Sequence, residues 1–471
     1  MINPPSTALG LLTLQTRHGF SICVPKDLSC ITTYVVLEQE RWFEDEMDII
    51  PRLLAPGDTV IDVGASYGFY SVAMSRAVGS AGQIWSFEPA RDVIEHLQQT
   101  LADNGCGNVH LHAAAVSNFD GAGSLTDELS SELRGLSTNE GSGRQVAVVQ
   151  LDTIWRERGR PAVSFVKIDA EGADDKVVAG AWELLRSQAP IVMCETPPLG
   201  KPHNAVEKLG ALGFHLCRYL PSLDALVPLR PEDNDGRACN VLAIPPARVA
   251  ELHQRGLLVL PDNGQRKPSW WMRKAIDLSQ VARRSSTLKG LACWENATQP
   301  ALSARDRYRS FLEARSLMES VASRDATLPL LCNLARVYWD LALRNEMLPV
   351  ICQVGTEIVF NRRIPKPPFA SPNPRFDTLR KGVADTGEWL LPAVLEQTTH
   401  ASYSGYFWHS PFLNLMDAVT NNRFYSAEME RRRQLVRIIL KNQDHLIPTA
   451  LVAKNSPEHL NARVWQDWDN A

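Results

Sequence analysis

The stretch from Asp58 to Met74 constrains the fold of this chain more than any other. Val60 to Val63 reads as a strand with Asp62 near its end, Gly64 to Gly68 as a glycine-rich turn, and the residues that follow as the first turns of a helix. Gly64 and Gly68 let the backbone pass close to a ligand where any Cβ would collide. A second strand, Gln83 to Glu88, ends in an acid 26 positions after Asp62. Strand, turn, helix and second-strand acid in that order are the layout of a βαβ nucleotide site, in which the turn meets one part of the ligand and the acid a ribose hydroxyl.

The spacing argues against a dinucleotide. A pyrophosphate-binding turn wants three glycines in a Gly-x-Gly-x-x-Gly pattern, and here Gly64 and Gly68 stand alone. Asp62, an anion before the turn, suits a positively charged ligand group better than a phosphate. S-adenosylmethionine carries an ammonium and a sulfonium and no phosphate, so it is the expected cofactor. The turn residues Gly64, Ala65, Tyr67 and Gly68 are its candidate contacts. An NAD(P)-dependent oxidoreductase on the same sheet is the alternative that this spacing disfavours.

Two more strands sharpen the expectation. Val163 to Ile168 is apolar apart from Ser164 and Lys167, and is followed by Asp169, Glu171 and Gly172; a helical segment from Lys176 to Leu185 comes next. Pro190 to Glu195 is another buried strand ending in an acid. In an open α/β sheet the C-terminal strand ends line the ligand crevice, which places Asp62, Glu88, Asp169 and Glu195 around it.

At this point the chain resembles the FkbM family of S-adenosylmethionine-dependent methyltransferases. The resemblance runs from about residue 35 to 200 and rests on Trp42–Glu44, Ala55–Asp58, Val60–Ala65 with Gly68 and Tyr70, Phe87–Pro89, Ala114–Asn118, Leu151–Thr153, Val166–Gly172 and the strand ending at Glu195. It implies a doubly wound, Rossmann-like class I methyltransferase sheet and an acceptor hydroxyl on a sugar or polyketide. Three positions depart from the family pattern: Ser66 stands where asparagine is usual, Asp174 where glutamate is, and Asn118 where aspartate is frequent.

Methyl transfer from a sulfonium is an in-line displacement that needs the acceptor held about 3 Å from the methyl carbon. An alcohol acceptor must also lose a proton, which a carboxylate within hydrogen-bond reach can take. The carboxylate-rich rim therefore points to O-methylation. Asp62 and Glu88 fall to the donor, and Ser117 and Asn118, after the third strand, to the adenine. Asp169 sits where the methyl group should lie. Asp169, Glu171 and Glu195 are the catalytic candidates, with His203 a weaker one. Asp169 and Glu195 could supply two ligands to a divalent cation, but no third is apparent, so no metal is expected.

Composition is that of a soluble enzyme. The formal net charge is −4 without a long basic run, so nucleic-acid binding is not expected. The nine cysteines form no Cys-x-x-Cys pair, no apolar stretch reaches the ~18 residues of a membrane span, and the N-terminus lacks a signal-peptide pattern. A cytoplasmic setting follows as the expectation.

The expected organisation is an N-terminal appendage (1–50), a methyltransferase domain (51–246), a linker (247–269) and an all-α domain (270–471). In the appendage, Gly19 to Val24 alternates like a strand and Tyr34 to Leu54 has helical spacing. The Gly/Ser-rich stretch 120–145 is a candidate acceptor-binding loop or hairpin. Arg237 to Ile244 reads as the last strand. Beyond residue 270, Phe311–Val321, Leu328–Leu343, Glu346–Phe360 and Ser426–Lys441 are amphipathic helices. Antiparallel helical hairpins, of which the tetratricopeptide type is one, give such a pattern, although no repeat of about 34 residues is discernible. The aromatic cluster Tyr403, Tyr406, Phe407, Trp408 and His409 is either a ligand-binding group or core between helices, with core the favoured reading, and Trp270-Trp271 reads as docking the linker. The helical part is expected to choose the acceptor, a small molecule or glycan, or to bind a protein partner or a second copy. An interaction protein with a vestigial donor site is the remaining alternative.

Overall fold

The computed structural model describes residues 10–126, 136–137, 144–196, 204–230, 240–260, 286–323, 326–379, 385–407, 413–440 and 459–461. His203, Trp270-Trp271, Trp408, His409 and Gly141 to Gly143 lie outside them.

The described strands are β1 (Leu11–Gln15), β2 (Ser21–Pro25), β3 (Thr59–Val63), β4 (Gln83–Phe87), β5 (Val109–His112), β6 (Ala114–Val116), β7 (Gly121–Leu125), β8 (Leu136–Ser137), β9 (Arg144–Val149), β10 (Phe165–Ile168), β11 (Ile191–Glu195), β12 (His215–Leu220), β13 (Ala225–Pro228) and β14 (Asn240–Ile244). Eight of them form one mixed sheet in the order β13-β12-β14-β11-β10-β3-β4-β5. Strands β5, β4, β3, β10 and β11 are parallel, and β14, β12 and β13 add antiparallel pairings at one edge. Every residue of β3 and β10 is buried, because helices cover both faces of the sheet. From β3 the chain adds β4 and β5 on one side and then β10 and β11 on the other, so the strand order reverses between β3 and β10, the switch point where such sheets open a crevice.

Gly64 is required there by close approach. It has φ +75°, and a Cβ on it would lie 1.9 Å from the carbonyl oxygen of Asp169. The ends of β3 and β10 therefore meet only because this position has no side chain.

The stretch between residues 120 and 145 contributes strands rather than a bare loop. β7 and β9 pair antiparallel from Gly121–Val148 to Leu125–Arg144, and join β6 and β8 in a four-stranded sheet. The expected helix over Lys176–Leu185 is two helices, Asp174–Gly180 and Trp182–Gln188. They part beside Gly180, where a Cβ would meet the Ser117 carbonyl oxygen at 2.0 Å.

The helical spacing of Tyr34–Leu54 is realised only at its ends. A helix covers Ile31–Gln39 and stops at Glu40, which adopts a left-handed conformation (φ 61°). Residues Arg41 to Glu44 are extended or bent, before the short turns Asp45–Asp48 and Ile50–Leu53. No proline or glycine marks this break. Trp42 and Glu44 are held by tertiary contacts described below, and these override helical propensity.

Helices Ser286–Ala297, Ala304–Ala322, Leu328–Asp340, Arg344–Val359, Thr386–Ala401, Leu413–Ala418 and Ala427–Leu440 follow, and the four anticipated amphipathic segments overlap them closely. Ser303 caps the second of these by accepting from the Asp306 amide at 3.1 Å. Buried Arg336 ties the bundle, donating to Asp340 at 3.0 Å and to both oxygens of Asp377 at 2.6 and 2.9 Å. The apolar clusters are shared with the sheet. Leu220, Ala225 and Val227 of β12 and β13 pack with Trp294, Phe311 and Val337, and Leu435 joins the cluster that includes Tyr34 and Phe69. Among the described residues no helix is long and apolar enough to cross a membrane.

Candidate active site

A cleft opens at the C-terminal ends of β3, β4, β10 and β11, and five carboxylates line it: Glu44, Glu88, Asp169, Glu171 and Glu195. At one end lie Phe87, Val93 and Val116, an apolar wall; at the other lie Trp42, Phe43 and Phe407.

Glu88 follows the last residue of β4. Its carboxylate accepts from the Ala90 amide at 2.8 Å and the Ser66 amide at 2.9 Å, which locks it across the mouth of the glycine turn. Burial pushes its carboxyl up to about 7, against the pull of those two amides. Ser66 sits at φ 47°, a left-handed conformation that serine adopts less readily than asparagine. The Gly64 and Ala65 amides both donate to the Phe87 carbonyl at 3.0 Å, which closes the turn against β4.

Lys167, inside β10, is the cation at the centre. Its ammonium is buried and donates to Asp169 at 2.9 Å, stands 3.9 Å from Asp62 and lies over the Tyr70 ring at 4.9 Å. Burial alone would lower its pKa, but Asp169, Asp62 and Glu44 together hold it above the ordinary lysine value. Asp62 lies below the cleft and does not face it. Burial raises its pKa; one oxygen accepts from Ser71 at 2.5 Å and the other has no hydrogen-bond partner.

Glu44 is the buried acid at the aromatic end. It accepts from Tyr70, from the Trp42 indole at 3.0 Å and from Asn240 at 3.1 Å. Burial, then the charge of Asp169, raises its pKa. Glu195, at the end of β11, is pushed up to about 9 by burial and by the neighbouring charges of Asp169, Glu171, Asp174 and Glu44. Asp174 accepts from the Ala170 amide at 3.1 Å and so braces the turn in which Glu171 and Gly172 take positive φ. Burial and then Asp169 raise it to about 6.

Of the residues anticipated for the site, Gly64, Glu88, Asp169, Glu171 and Glu195 come together on the cleft. The others stand behind or beside it. Ala65 is buried in the turn, Tyr67 packs edge-on to His96, and Gly68 begins the helix Phe69–Val78. Ser117 is buried, with its amide on the Val149 carbonyl, and Asn118 is exposed. Sequence reasoning did not assign Lys167, Glu44, Tyr70, Asn240 or Phe407 to the site. A lysine inside an otherwise apolar strand was the one available signal, since a buried ammonium needs paired acids. Among the described residues no group of three or more His, Cys, Asp or Glu is placed to hold a metal ion.

Residues 62–216 match the family model described as the Methyltransferase FkbM domain. No curated protein matches the chain. Among solved structures, a methyltransferase FkbM from Methylobacillus flagellatus KT is similar at 15% identity over 42% of this chain and 48% of that one, with a TM-score of 0.30. The matched region thus spans about half of that protein. An O-methyltransferase described as putative from Klebsiella pneumoniae is similar at 12% identity over 42% and 77% of the two chains, TM-score 0.26. An Aeropyrum pernix fibrillarin in complex with S-adenosyl-L-methionine is similar at 11% identity over 51% and 84%, TM-score 0.25. The family match takes in the C-terminal ends of β3, β4, β10 and β11, so the stretch that is similar to a methyltransferase FkbM domain carries four of the five cleft carboxylates.

Proposed function

We propose that this protein is an S-adenosylmethionine-dependent O-methyltransferase whose acceptor is a hydroxyl on a sugar, glycan or secondary metabolite. The convergence of five carboxylates on one cleft at the ends of adjacent strands, with a buried lysine beneath them, carries the proposal. That electrostatic character suits a ligand bearing a sulfonium and an ammonium and disfavours a pyrophosphate.

The residues present fit such a donor. Glu88 would take the ribose hydroxyls, the apolar wall of Phe87, Val93 and Val116 the adenine, and the Gly64 backbone the amino-acid portion, with Asp169 beside the methyl group. When bound, the donor supplies an electrophilic methyl group. What the chain adds is position and a route for one proton. Lys167 fixes the Asp169 carboxylate at 2.9 Å, and Asp169 would receive the acceptor's hydroxyl proton as the new O–C bond forms and the methyl–sulfur bond breaks to leave a neutral thioether. Glu195, with its carboxyl near 9, keeps its own proton at neutral pH and donates a hydrogen bond that orients the acceptor oxygen. Trp42, Phe43 and Phe407 keep water from the reacting end.

The test is a radiolabelled methyl-transfer assay against a panel of hydroxyl and amine acceptors, run beside donor titration. Labelled ether product supports the reading. Donor binding with transfer confined to amines would replace O- by N-methylation, and NAD(P) binding in place of S-adenosylmethionine would overturn both.

A further inference from the structure

Arg344 opens the helix Arg344–Val359, in the helical part of the chain, and does not itself line the cleft. A cation in the first turn meets the positive end of the helix macrodipole, so helix formation gives no reason for an arginine there. The reason lies outside the helix. Its guanidinium donates to Asp45 at 3.0 Å and lies over the Tyr403 ring at 3.8 Å. The arginine side chain is only 15% exposed, so the pair is screened less than one on the open surface.

Asp45 and Tyr403 each stand one step from the cleft. Asp45 follows Glu44, which lines the cleft with its carboxylate held by Tyr70, Trp42 and Asn240. The Tyr403 ring meets Phe43 edge-on, with centroids 5.7 Å apart, and Phe43 lines the same cleft. Tyr403 has φ 66°, a left-handed conformation in which a bulky residue is an outlier. Such a backbone persists only where its neighbours over-determine it. Here Gln39 donates to its carbonyl at 2.7 Å and Arg344 covers its ring. Arg344 also offsets a run of three acids, Glu44, Asp45 and Glu46. Burial and the charges of the other two push the Glu46 carboxyl up to about 8, against the pull of Arg344. Arg41, 3.6 Å from Asp45, belongs to the same segment as the acids and cannot tie that segment to the helical part.

We propose that Arg344 is a positioning residue for the methyl acceptor, joining Asp45 to Tyr403 so that Phe43 and Glu44 keep their places on the cleft wall. On the methyltransferase reading of the cleft, on which this rests, the helical part acts on the acceptor at one remove. The end proposed for the donor is locked separately, by the Ser66 and Ala90 amides on Glu88. Lysine cannot replace Arg344, because an ammonium has no planar face to lie on a ring while it donates to a carboxylate. The segment that carries Tyr403 has its own anchor: buried Glu38 accepts from the Ser404 hydroxyl at 2.5 Å and the Gly405 amide at 2.9 Å. Loss of the guanidinium therefore loosens the wall without undocking the segment.

The test uses full-length protein containing 5-fluorotryptophan and loaded with S-adenosylhomocysteine, with the Trp42 resonance assigned through W42F in fluorine NMR. Trp42 packs on Phe43 with centroids 4.4 Å apart and donates to Glu44, so it reports on the wall without any acceptor. R344A should shift or broaden the Trp42 signal. R433A, which breaks pairs with Asp417 and Glu430 elsewhere in the helical part, should leave it in place. In methyl transfer to catechol and to methyl glucoside, R344A should raise the acceptor KM about tenfold with kcat within about threefold, the pattern of lost ground-state binding. R344K should restore only part of the loss. D45N should also raise the acceptor KM, and the double variant should be no worse than R344A, since the two residues act as a pair. The donor Kd should stay within about twofold throughout, as expected of an independent site. A Trp42 signal unchanged in R344A, full rescue by R344K, or donor affinity falling in step with acceptor affinity would each overturn the proposal. Where neither probe is methylated, the Trp42 signal alone decides. A wild type that takes up no S-adenosylhomocysteine would remove the reading of the cleft, and the same Trp42 comparison on unloaded protein would still decide the positioning.

Discussion

The two ends of the cleft are built by different means. The end proposed for the donor comes mostly from one continuous segment, with the glycine turn after β3, the acid after β4 and the amides of Ser66 and Ala90 that lock it all between residues 63 and 90, and Val93 and Val116 added to its apolar wall. The acceptor end is assembled from residues scattered over most of the chain. Trp42, Glu44, Tyr70, Glu195, Asn240 and Phe407 meet there only once the sheet and the helices have packed. Parallel strands set the first by their geometry, whereas the second depends on tertiary contacts that different sequences can supply differently.

Mutations at the boundary between the two ends test that division most severely. Asp169→Asn keeps the size of the side chain and removes its charge. Its kcat should fall by about a hundred- to ten-thousandfold, the usual loss of a general base, while the donor Kd moves only a few-fold. Melting temperature measured beside kcat separates chemistry from bracing. A variant with wild-type kcat would shift the base role to Glu171 or Glu195.

Gly64→Ala should be the most damaging single methyl group. It combines a disfavoured positive φ with a 1.9 Å approach to the Asp169 carbonyl oxygen. Strain plus overpacking should cost about 2–5 kcal/mol, read as a lowered denaturation midpoint, with donor binding lost in what remains folded. Unchanged stability would mean that the ends of β3 and β10 are not in contact.

Glu88→Ala sharpens the comparison from the donor side alone. A hydrogen bond to a charged group contributes roughly 1.5–3 kcal/mol, so the donor Kd should rise about ten- to a hundredfold. Acceptor affinity should be little affected. Equal loss of both would merge the two ends into one site.

The remaining prediction concerns pH dependence. Glu195 has its folded-state carboxyl raised from the ordinary 4.5 to about 9. The folded protein holds this proton over that range while the unfolded chain has released it, so stability is full below about 4.5 and is lost as pH rises towards about 9. Glu195→Gln, which never ionises, should flatten this part of the profile. A melting temperature with the same pH slope in both proteins would show that Glu195 is not set apart in this way.

How much of this was legible in the sequence follows the same division. The strands ending near Asp62, Glu88, Asp169 and Glu195 were readable because apolar runs and glycine turns are local signals. Asp62 points below the cleft rather than into it because β3 continues to Val63, and side chains alternate across a strand. The break after Gln39 left no local mark, since it follows from Glu44 meeting Tyr70 and Asn240 while Trp42 donates to Glu44 and stacks on Phe69. Lys167 was visible as an odd residue in a buried strand, but its three acidic neighbours come from β3, from the end of its own strand and from residue 44. Phe407 read as helix core because nothing near it in sequence says that residues 403–407 dock on Glu38.

The most direct test of the account is calorimetric titration of the full-length protein with S-adenosylmethionine and, separately, with NAD(P). Stoichiometric binding of S-adenosylmethionine, weakened by Glu88→Ala and not by Phe407→Ala, with no heat from NAD(P), is the predicted result. Folded protein that binds NAD(P), or that binds S-adenosylmethionine with an affinity indifferent to Glu88, would contradict it.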